Sequence, residues 1–199
     1  MSAPVILGIA GSPRRHGNSA RLLEAALAGA REAGAETRLF VAADAGMSPC
    51  RGCNACSSAG ECVVRDGGAE YYAAIDAADG FIVASPVFFA TVPAVLKILI
   101  DRLQPYWARR FVLGQELTAR RPGAILLARS GGDSFGFSAA EATIRSAFAV
   151  LGIDMLGEVR VEGVEGPADL AGRPEAIEEA TALGRAVAEE AARRPHSGG

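Results

Sequence analysis

Residues 4–33 of the chain read PVILGIAGSPRRHGNSARLLEAALAGAREA. The first part, Pro4 to Ala10, is a continuous apolar run, which is the pattern of a strand buried on both faces. From Asn18 to Ala33 the apolar residues recur every three or four positions, which predicts an amphipathic helix that Gly34 ends. A buried strand that passes through a glycine-containing loop directly into a helix is the opening of a βαβ unit, so this segment predicts an α/β fold.

The same alternation of short apolar runs and longer amphipathic stretches continues to the end of the chain. The predicted strands are Pro4–Ala10, Thr37–Val41, Gly80–Ser85, Pro122–Arg129 and Met155–Val161. The predicted helices are Asn18–Ala33, Glu70–Ala78, Pro93–Tyr106, Ser138–Leu151 and Pro174–Ala192. Strands and helices in strict alternation predict a doubly wound, three-layer α/β domain with a five-stranded parallel sheet.

The length of 199 residues fits one domain, which we assign to residues 1–192 with a cysteine-rich insertion at residues 46–66. We expect residues 193–199 to form a disordered tail. The composition, 50% hydrophobic and 22% charged, lies outside the range of disordered chains.

Charge and hydropathy exclude several classes of partner. The net charge is −3 and no stretch is dense in Lys or Arg, which disfavours a nucleic-acid partner. The longest apolar stretch, residues 81–96, contains Pro86 and Pro93, so no membrane span is expected. The first residues lack the charged and small-residue features of a signal peptide, and a cytoplasmic location is therefore expected.

The loop after the first predicted strand, residues 11–19, has the features of a phosphate site. Ser12 and Ser19 offer hydroxyl groups and Arg14 a guanidinium at a helix N-terminus, while Asn18 can cap the helix or tie the loop together. The loop lacks G-x-G-x-x-G, a P-loop lysine and a cysteine, so a monophosphate on a larger planar cofactor is favoured. The alternative is ordinary helix capping with solvated arginines.

The loops after the third and fourth predicted strands suit the planar part of such a cofactor. Phe88 and Phe89 follow the third strand, where one ring can face a ligand, although core packing is the alternative for both. Residues 130–134 follow the fourth strand and offer bare glycine backbone that can approach a flat ring closely. In a doubly wound sheet these loops meet at the carboxyl edge, which makes FMN the natural candidate.

Residues 11–19, GSPRRHGNS, and residues 85–103, SPVFFATVPAVLKILIDRL, resemble the paired signatures of the NAD(P)H-dependent FMN reductase superfamily. The resemblance covers residues 4 to about 165 and implies a flavodoxin-like three-layer sandwich. It implies that the FMN phosphate is held by Ser12, Arg14, Asn18 and Ser19, and that the isoalloxazine is bordered by Pro86, Val87, Phe88 and Phe89, with Ser130, Gly131 and Gly132 in the third flavin loop. Ala90 departs from the family pattern, which usually has glycine there.

All four cysteines, Cys50, Cys53, Cys56 and Cys62, lie in one compact C-x2-C-x2-C-x5-C segment. Gaps of this size let one loop surround a single metal centre, and the first three positions share the rhythm of bacterial ferredoxin motifs. The spacing also resembles that of the iron–sulfur flavoproteins, a branch of the same superfamily. We therefore expect a [4Fe-4S] cluster. Free cysteines in a family loop, a zinc ion and redox disulfides remain alternatives.

Other candidate groups are sparse. With only His16 and His196, a hydrolase built on a catalytic histidine is hard to assemble. Arginines 102, 109, 110, 120 and 121 surround the end of the third predicted helix, where they could hold an anionic substrate or a nicotinamide cofactor's phosphate; we favour a solvated surface with a subunit contact.

These features together predict an FMN-dependent oxidoreductase of the iron–sulfur flavoprotein type. It would transfer electrons between a [4Fe-4S] cluster, FMN and a small-molecule redox substrate, with NAD(P)H or a ferredoxin-type protein as electron donor. The alternatives are a cluster-free NAD(P)H-dependent FMN or quinone reductase, a flavin-dependent dehydrogenase of a small biosynthetic carboxylic acid, and a non-enzymatic electron carrier. The resemblance also implies a homodimer or homotetramer.

Overall fold

The computed structural model describes residues 2–117, 119–132, 134–166 and 169–194. Its sheet has five parallel strands in the order β2-β1-β3-β4-β5. They are β1 Val5–Ala10, β2 Glu36–Val41, β3 Gly80–Pro86, β4 Arg121–Arg129 and β5 Ile153–Glu162. The predicted parallel sheet is therefore confirmed, and its winding reverses between β1 and β3.

Helices cover both faces of the sheet. They are α1 Asn18–Glu32, α2 Cys56–Ala59, α3 Gly68–Asp76, α4 Ala94–Asp101, α5 Gln104–Phe111, α6 Ser138–Leu151 and α7 Pro174–Arg193, with short 3-10 turns at Ala42–Asp44 and Asp169–Gly172. One apolar core lies between the sheet and α1 and α7, and a second lies between the sheet and α3, α4 and α6. The predicted three-layer, flavodoxin-like sandwich is thus confirmed.

The central strand β3 supplies side chains to both cores. Ile82 and Ala84 face α1 and α7, whereas Phe81 and Val83 face the opposite layer. Because successive side chains of a strand point to opposite faces, a strand buried on both faces must be apolar throughout. This explains why the sequence of β3 shows a continuous apolar run rather than an alternation.

Two glycines bring α1 and α7 into backbone contact. A Cβ atom at Gly29 would lie 2.0 Å from the carbonyl oxygen of Thr181, and one at Gly184 would lie 1.8 Å from that of Ala26. No side chain larger than hydrogen fits at either position without moving a helix. The close packing fixes α1, and with it the loop that precedes α1, against the rest of the domain.

The single helix predicted at Pro93–Tyr106 is wrong, because the chain forms two helices here. α4 ends at Asp101, and α5 starts at Gln104 with Pro105 in its first turn. Proline has no N–H group to continue the hydrogen-bond ladder, and it disfavours helical geometry in the residue before it. The break turns the chain at Arg102 and Leu103, both of which are buried.

The last helix continues to Arg193, and Arg194 forms ion pairs with Asp154 at 3.0 Å and Glu190 at 2.9 Å. The remainder of the tail predicted at residues 193–199, from residue 195 onward, lies outside the described residues. Among the helices that the structure describes, none combines the length and the apolar character needed to cross a bilayer.

Candidate functional site

A cleft of about 180 Å³ opens at the carboxyl edge of the sheet, beside the point where the winding reverses. It is lined by Ser12, Arg14, Gly17, Asn18, Ser19, Pro86, Val87, Phe88, Ala128, Arg129, Ser130, Val164 and Glu165. Residues of all three predicted ligand loops therefore meet in one place. We call this site the three-loop cleft.

The loop after β1 closes one end of the cleft. Ser12 is buried, and its Oγ accepts a hydrogen bond of 3.0 Å from the backbone N–H of Arg14. No side chain in the described part of the chain caps α1, whose N-cap residue is Gly17. The first backbone N–H groups of a helix have no partner within the helix, and together with the helix dipole they favour an anion.

The two arginines of this loop differ. Arg15 forms an ion pair of 2.7 Å with Asp44 on the adjacent 3-10 turn. Arg14 lines the cleft, is exposed, and has no carboxylate partner within the described residues. Arg14 is therefore the cation of this loop that is available to a phosphate.

Asn18 ties two distant loops together instead of capping α1. Its side-chain nitrogen donates to the carbonyl of Gly166 at 3.0 Å, and its side-chain oxygen accepts from the backbone N–H of Leu170 at 3.3 Å. Asn18 thus links the loop after β1, residues 11–19, to the segment after β5. We call residues 11–19 the phosphate-type loop. The sequence indicated that this residue could tie the loop together, but it could not identify partners so far along the chain.

A tight turn follows β3 and carries the two phenylalanines. Phe88 and Thr91 exchange backbone hydrogen bonds of 2.8 and 3.1 Å, and the two residues between them, Phe89 and Ala90, have φ angles of 49° and 70°. This is the geometry of a type I′ turn, in which positive φ angles normally call for Asn or Gly. Neither phenylalanine belongs to the core: Phe88 lines the cleft and is 39% exposed, while Phe89 is 102% exposed.

The loop after β4 contributes Ser130 to the cleft lining. Gly131 and Gly132 follow it with φ angles of 102° and 91°, and they lie beside the lining rather than in it. L-residues rarely adopt such angles, so these glycines allow the chain to turn away at the rim.

Arg129 is a residue of the cleft that the sequence analysis missed. It ends β4, is 5% exposed, and lines the cleft. Its guanidinium lies 3.3 Å from a carboxylate oxygen of Glu162 and 5.5 Å from the centre of the Phe137 ring. The available signal was a cation that directly follows the apolar residues 122–128 of β4, and this cation adds positive charge beside the phosphate-type loop.

The four cysteines line a second pocket, of about 190 Å³, beside the start of α5. Its lining is formed by residues 50–56, residues 62–64, Arg102, Gln104 and Pro105. The loop curls through positive φ angles at Gly52, Asn54 and Gly60, and the carbonyl of Gly60 accepts a 2.8 Å hydrogen bond from Arg109 on α5. We call this site the cysteine pocket.

All four cysteines are free thiols. Burial raises the pKa of the Cys56 thiol, and the neighbouring thiols of Cys50, Cys62 and Cys53 raise it further, so the four share one environment. Within the described residues, no three ligating side chains converge tightly enough for a single metal ion. Each cysteine of a [4Fe-4S] cluster binds a different iron, so its ligands surround a larger object than one zinc ion does. The four thiols that line this pocket would supply one ligand for each iron of such a cluster.

Arg102, expected at a solvated surface, is 1% exposed. Its guanidinium donates to both carboxylate oxygens of Asp66, at 2.9 and 3.0 Å, and to the carbonyl of Ser48 at 2.9 Å. Asp66 also accepts from the backbone N–H groups of Ser48 and Gly68. The hydrogen bonds from Arg102 are the main reason why the pKa of Asp66 lies well below its usual range.

Arg121, also expected at the surface, is largely buried as well. It donates to the carbonyls of Ile75 and Ala78, and its guanidinium lies 4.6 Å from the centre of the Phe81 ring. Burial lowers the pKa of Arg121. The two arginines were grouped because they flank one predicted helix, but Arg102 binds Asp66 before the start of α3 and Arg121 binds carbonyls at the end of α3.

Comparison with known proteins gives a consistent result. A family model described as NADPH-dependent FMN reductase matches residues 4–163. An iron–sulfur flavoprotein of Methanocaldococcus jannaschii is 39% identical over 129 residues, which cover 64% of each chain. An iron–sulfur flavoprotein of Methanosarcina thermophila is 40% identical over 114 residues, which cover 57% of this chain and 60% of that one. The chain thus matches less than two thirds of the length of these relatives.

Solved structures share the fold at low sequence identity. An NAD(P)H:quinone oxidoreductase from Methanothermobacter marburgensis superimposes with a TM-score of 0.70 and 18% identity over the full length of both chains. A flavone reductase gives a TM-score of 0.67 with 17% identity, covering 94% of this chain and 63% of that one. These similarities establish the flavodoxin-like fold.

Proposed function

The chain belongs to the NADPH-dependent FMN reductase family, and from that membership we propose that it is an FMN-dependent oxidoreductase of the iron–sulfur flavoprotein type. The resemblance inferred from residues 11–19 and 85–103 is confirmed by the family match and by the curated relatives. The single observation that carries the proposal is the convergence of residues from all three predicted ligand loops in the three-loop cleft.

In this proposal the cleft binds FMN through its phosphate end. Arg14, the hydroxyls of Ser12 and Ser19 and the uncapped start of α1 would hold the phosphate, because each offers a donor or positive charge at the same end of the cleft. Asn18 holds the loop against the segment after β5. Pro86, Val87 and Phe88 would border the isoalloxazine, together with Ser130 in the lining and Gly131 and Gly132 beside it.

We assign a [4Fe-4S] cluster to Cys50, Cys53, Cys56 and Cys62, which line one pocket. Bound FMN exchanges electrons in pairs or singly and an iron–sulfur cluster exchanges them one at a time, so the two groups together can connect a hydride donor to a single-electron carrier. The electron donor would be NAD(P)H or a ferredoxin-type protein, and the other partner a small-molecule redox substrate.

A homodimer or homotetramer is part of the proposal. Its support is a set of exposed apolar side chains on α5 and the segment that follows: Trp107, Phe111, Val112, Leu113 and Leu117. Exposed apolar side chains grouped in one segment are typical of a protein contact.

The decisive experiment is flavin and metal analysis of protein prepared without oxygen. The proposal expects about one FMN and about four irons per chain, with flavin bands and broad cluster absorbance in one spectrum. A colourless protein that does not take up FMN would overturn the whole assignment. A yellow protein without iron, even after reconstitution with ferrous iron and sulfide, would remove the cluster alone.

The second candidate is a cluster-free NAD(P)H-dependent FMN or quinone reductase. It is supported by the matching family model, which is described as NADPH-dependent FMN reductase. Steady-state NADPH oxidation by iron-free protein would support it. Oxidation of a small carboxylic acid would indicate a biosynthetic dehydrogenase, and tight FMN binding without turnover of any small donor would indicate an electron carrier.

A further inference from the structure

The cysteine loop leaves the fold at Ser48 and returns to it at Asp66, and both ends are bound by one side chain. The Arg102 guanidinium donates to the carbonyl of Ser48 and to the carboxylate of Asp66. Ser48 closes the triangle, since its backbone N–H and its hydroxyl donate to Asp66 at 2.9 and 2.8 Å. We call these three residues the loop neck.

The ion pair of the neck, Arg102 with Asp66, is less exposed than the neighbouring pair of Lys97 with Asp101. The Arg102 side chain is 1% exposed and that of Asp66 is 14% exposed, whereas Lys97 and Asp101 on α4 are 49% and 45% exposed. Removing one partner of a buried pair leaves a desolvated charge without compensation, while an exposed pair contributes little. Removing Arg102 should therefore disturb the loop conformation more than removing an exposed ion pair would.

Arg102 also reaches the cysteine pocket itself. It is part of the pocket lining together with the four cysteines. On its other side the hydroxyl of Tyr72 donates to the Arg102 carbonyl at 2.9 Å and lies 3.4 Å from Arg102 Nε. One guanidinium thus connects the two ends of the loop and adds a fixed positive charge to the wall of the pocket.

From this geometry we infer that Arg102 is the positioning residue of the cysteine loop: by joining Ser48 to Asp66 it holds the four cysteines around their pocket before any iron is bound. The part of this inference that concerns the cluster rests on the proposed function. The part that concerns the order of the loop does not, and the two can be tested separately.

The first test uses the iron-free protein and limited digestion with trypsin. Arg51 and Arg65 are exposed within the loop and provide cleavage sites. In Arg102→Met we expect cleavage in the loop at least about ten times faster than in the wild type, because the Ser48 carbonyl loses its donor and the Asp66 carboxylate loses its charged partner. Arg121→Met is the control, since it removes another largely buried arginine, which donates to Ile75 and Ala78 instead of the loop neck, and it should leave loop cleavage at the wild-type rate.

Two further variants keep the test informative if Arg102→Met does not fold. Asp66→Asn and Ser48→Ala should both accelerate loop cleavage, Asp66→Asn the more strongly because it removes the charged partner. If Arg102→Met folds and its loop is cleaved at the wild-type rate, the inference is wrong. If Arg102→Met does not fold, wild-type cleavage rates in both Asp66→Asn and Ser48→Ala would show the same. Equal acceleration in Arg121→Met would do the same, since it would reduce the effect to general destabilisation.

The second test uses protein reconstituted with ferrous iron and sulfide without oxygen. Arg102→Met should release iron to a chelator at least about ten times faster than the wild type, while its FMN content stays the same. Its cluster should also have a lower reduction potential, because a positive charge beside the cluster stabilises the reduced form. Arg102→Lys keeps the charge but lacks the forked geometry, so it should restore the potential and only part of the iron retention.

The outcomes of the second test separate the two hypotheses. If the wild type takes up no iron, the proposed cluster is wrong, and the loop-order part of the inference is judged by trypsin alone. If the wild type takes up iron and Arg102→Met retains it equally well at an unchanged potential, the cluster part of the inference is wrong and the proposed function is unaffected.

Discussion

The three-loop cleft and the cysteine pocket are built in opposite ways. The cleft collects residues from four separate parts of the chain, and the strands of the central sheet hold those parts in place. The pocket takes its cysteines from one short loop that contains a single turn of helix, α2. Its attachment to the core depends on Arg102 and Asp66. The cleft is therefore a property of the whole fold, whereas the pocket is a property of one segment and its anchor.

This difference predicts that the two sites fail independently. A change in the cysteine loop should leave the cleft intact, since no strand of the sheet depends on that loop. A change in the phosphate-type loop should likewise leave the cysteines in position. Cys56→Ala and Arg14→Ala below test this independence, and a loss of both iron and FMN from either substitution would argue against it.

The largest effect is expected from removing one cysteine. Cys56→Ala should reduce the bound iron at least about tenfold, because a cubane cluster needs a thiolate on each iron. The FMN content should remain at the wild-type level. Iron and flavin assays on the same anaerobic sample measure both, and Ser57→Ala, at the adjacent position, is the control that should keep both groups.

The next effect is the loss of stability in Asp66→Asn. Because the variant leaves Arg102 buried without its carboxylate, unfolding in urea should be easier by about 3 kcal/mol at pH 7. The pKa of Asp66 is lowered in the folded protein, so its contribution is present above the unfolded-state value of about 4 and is lost as the pH falls below it. The difference in the free energy of unfolding between wild type and variant should therefore be constant from pH 7 to 5 and become smaller below pH 4. An unchanged difference in the free energy of unfolding at pH 3 would contradict this explanation.

A smaller effect is expected at the cleft. Arg14→Ala should weaken FMN binding by about 10- to 100-fold, the value of one charge-assisted hydrogen bond to phosphate, and leave the iron content unchanged. Riboflavin, which lacks the phosphate, should bind both proteins equally. Arg15→Ala is the matched control on the same loop, since Arg15 is paired with Asp44 and should change FMN affinity little. Equal losses for FMN and riboflavin would exclude a phosphate contact by Arg14.

The smallest effect concerns the turn that carries the phenylalanines. Ala90 has a φ angle of 70°, which costs an alanine about 1 kcal/mol relative to glycine. Ala90→Gly should therefore stabilise the protein slightly, by up to about 1 kcal/mol in urea unfolding, even though glycine usually destabilises. Ala186→Gly on the exposed side of α7 is the control and should destabilise by a similar amount.

Much of the fold was predictable because local patterns and tertiary contacts agree. The predicted limits of α6 match the structure, since Gly152, with a φ angle of 67°, ends the helix after Leu151. The division between α4 and α5 was missed although Pro105 signalled it, because the apolar repeat continues across the break. The periodicity of apolar residues identifies helices and strands well. It does not reveal a break between two helices when the apolar repeat continues across the break.

The site was predictable in part for the same reason. The loops that meet in the three-loop cleft follow strands, so their meeting could be deduced from the strand order of a doubly wound sheet. The partners of Asn18, at Gly166 and Leu170, could not, because nothing local in the sequence encodes a contact over that distance. The burial of Arg102 could not be predicted either, since a group of arginines in a sequence normally indicates an exposed surface.

The glycine contact between α1 and α7 has a practical consequence for anyone trimming this protein. The family match ends at residue 163, yet α7 lies beyond it and presses its backbone onto α1 through Gly29 and Gly184. A version shortened to the matched region would uncover the apolar stripe of Leu22, Ala26 and Ala30. Such a fragment would be expected to aggregate, so the smallest usable unit is defined by helix packing rather than by homology.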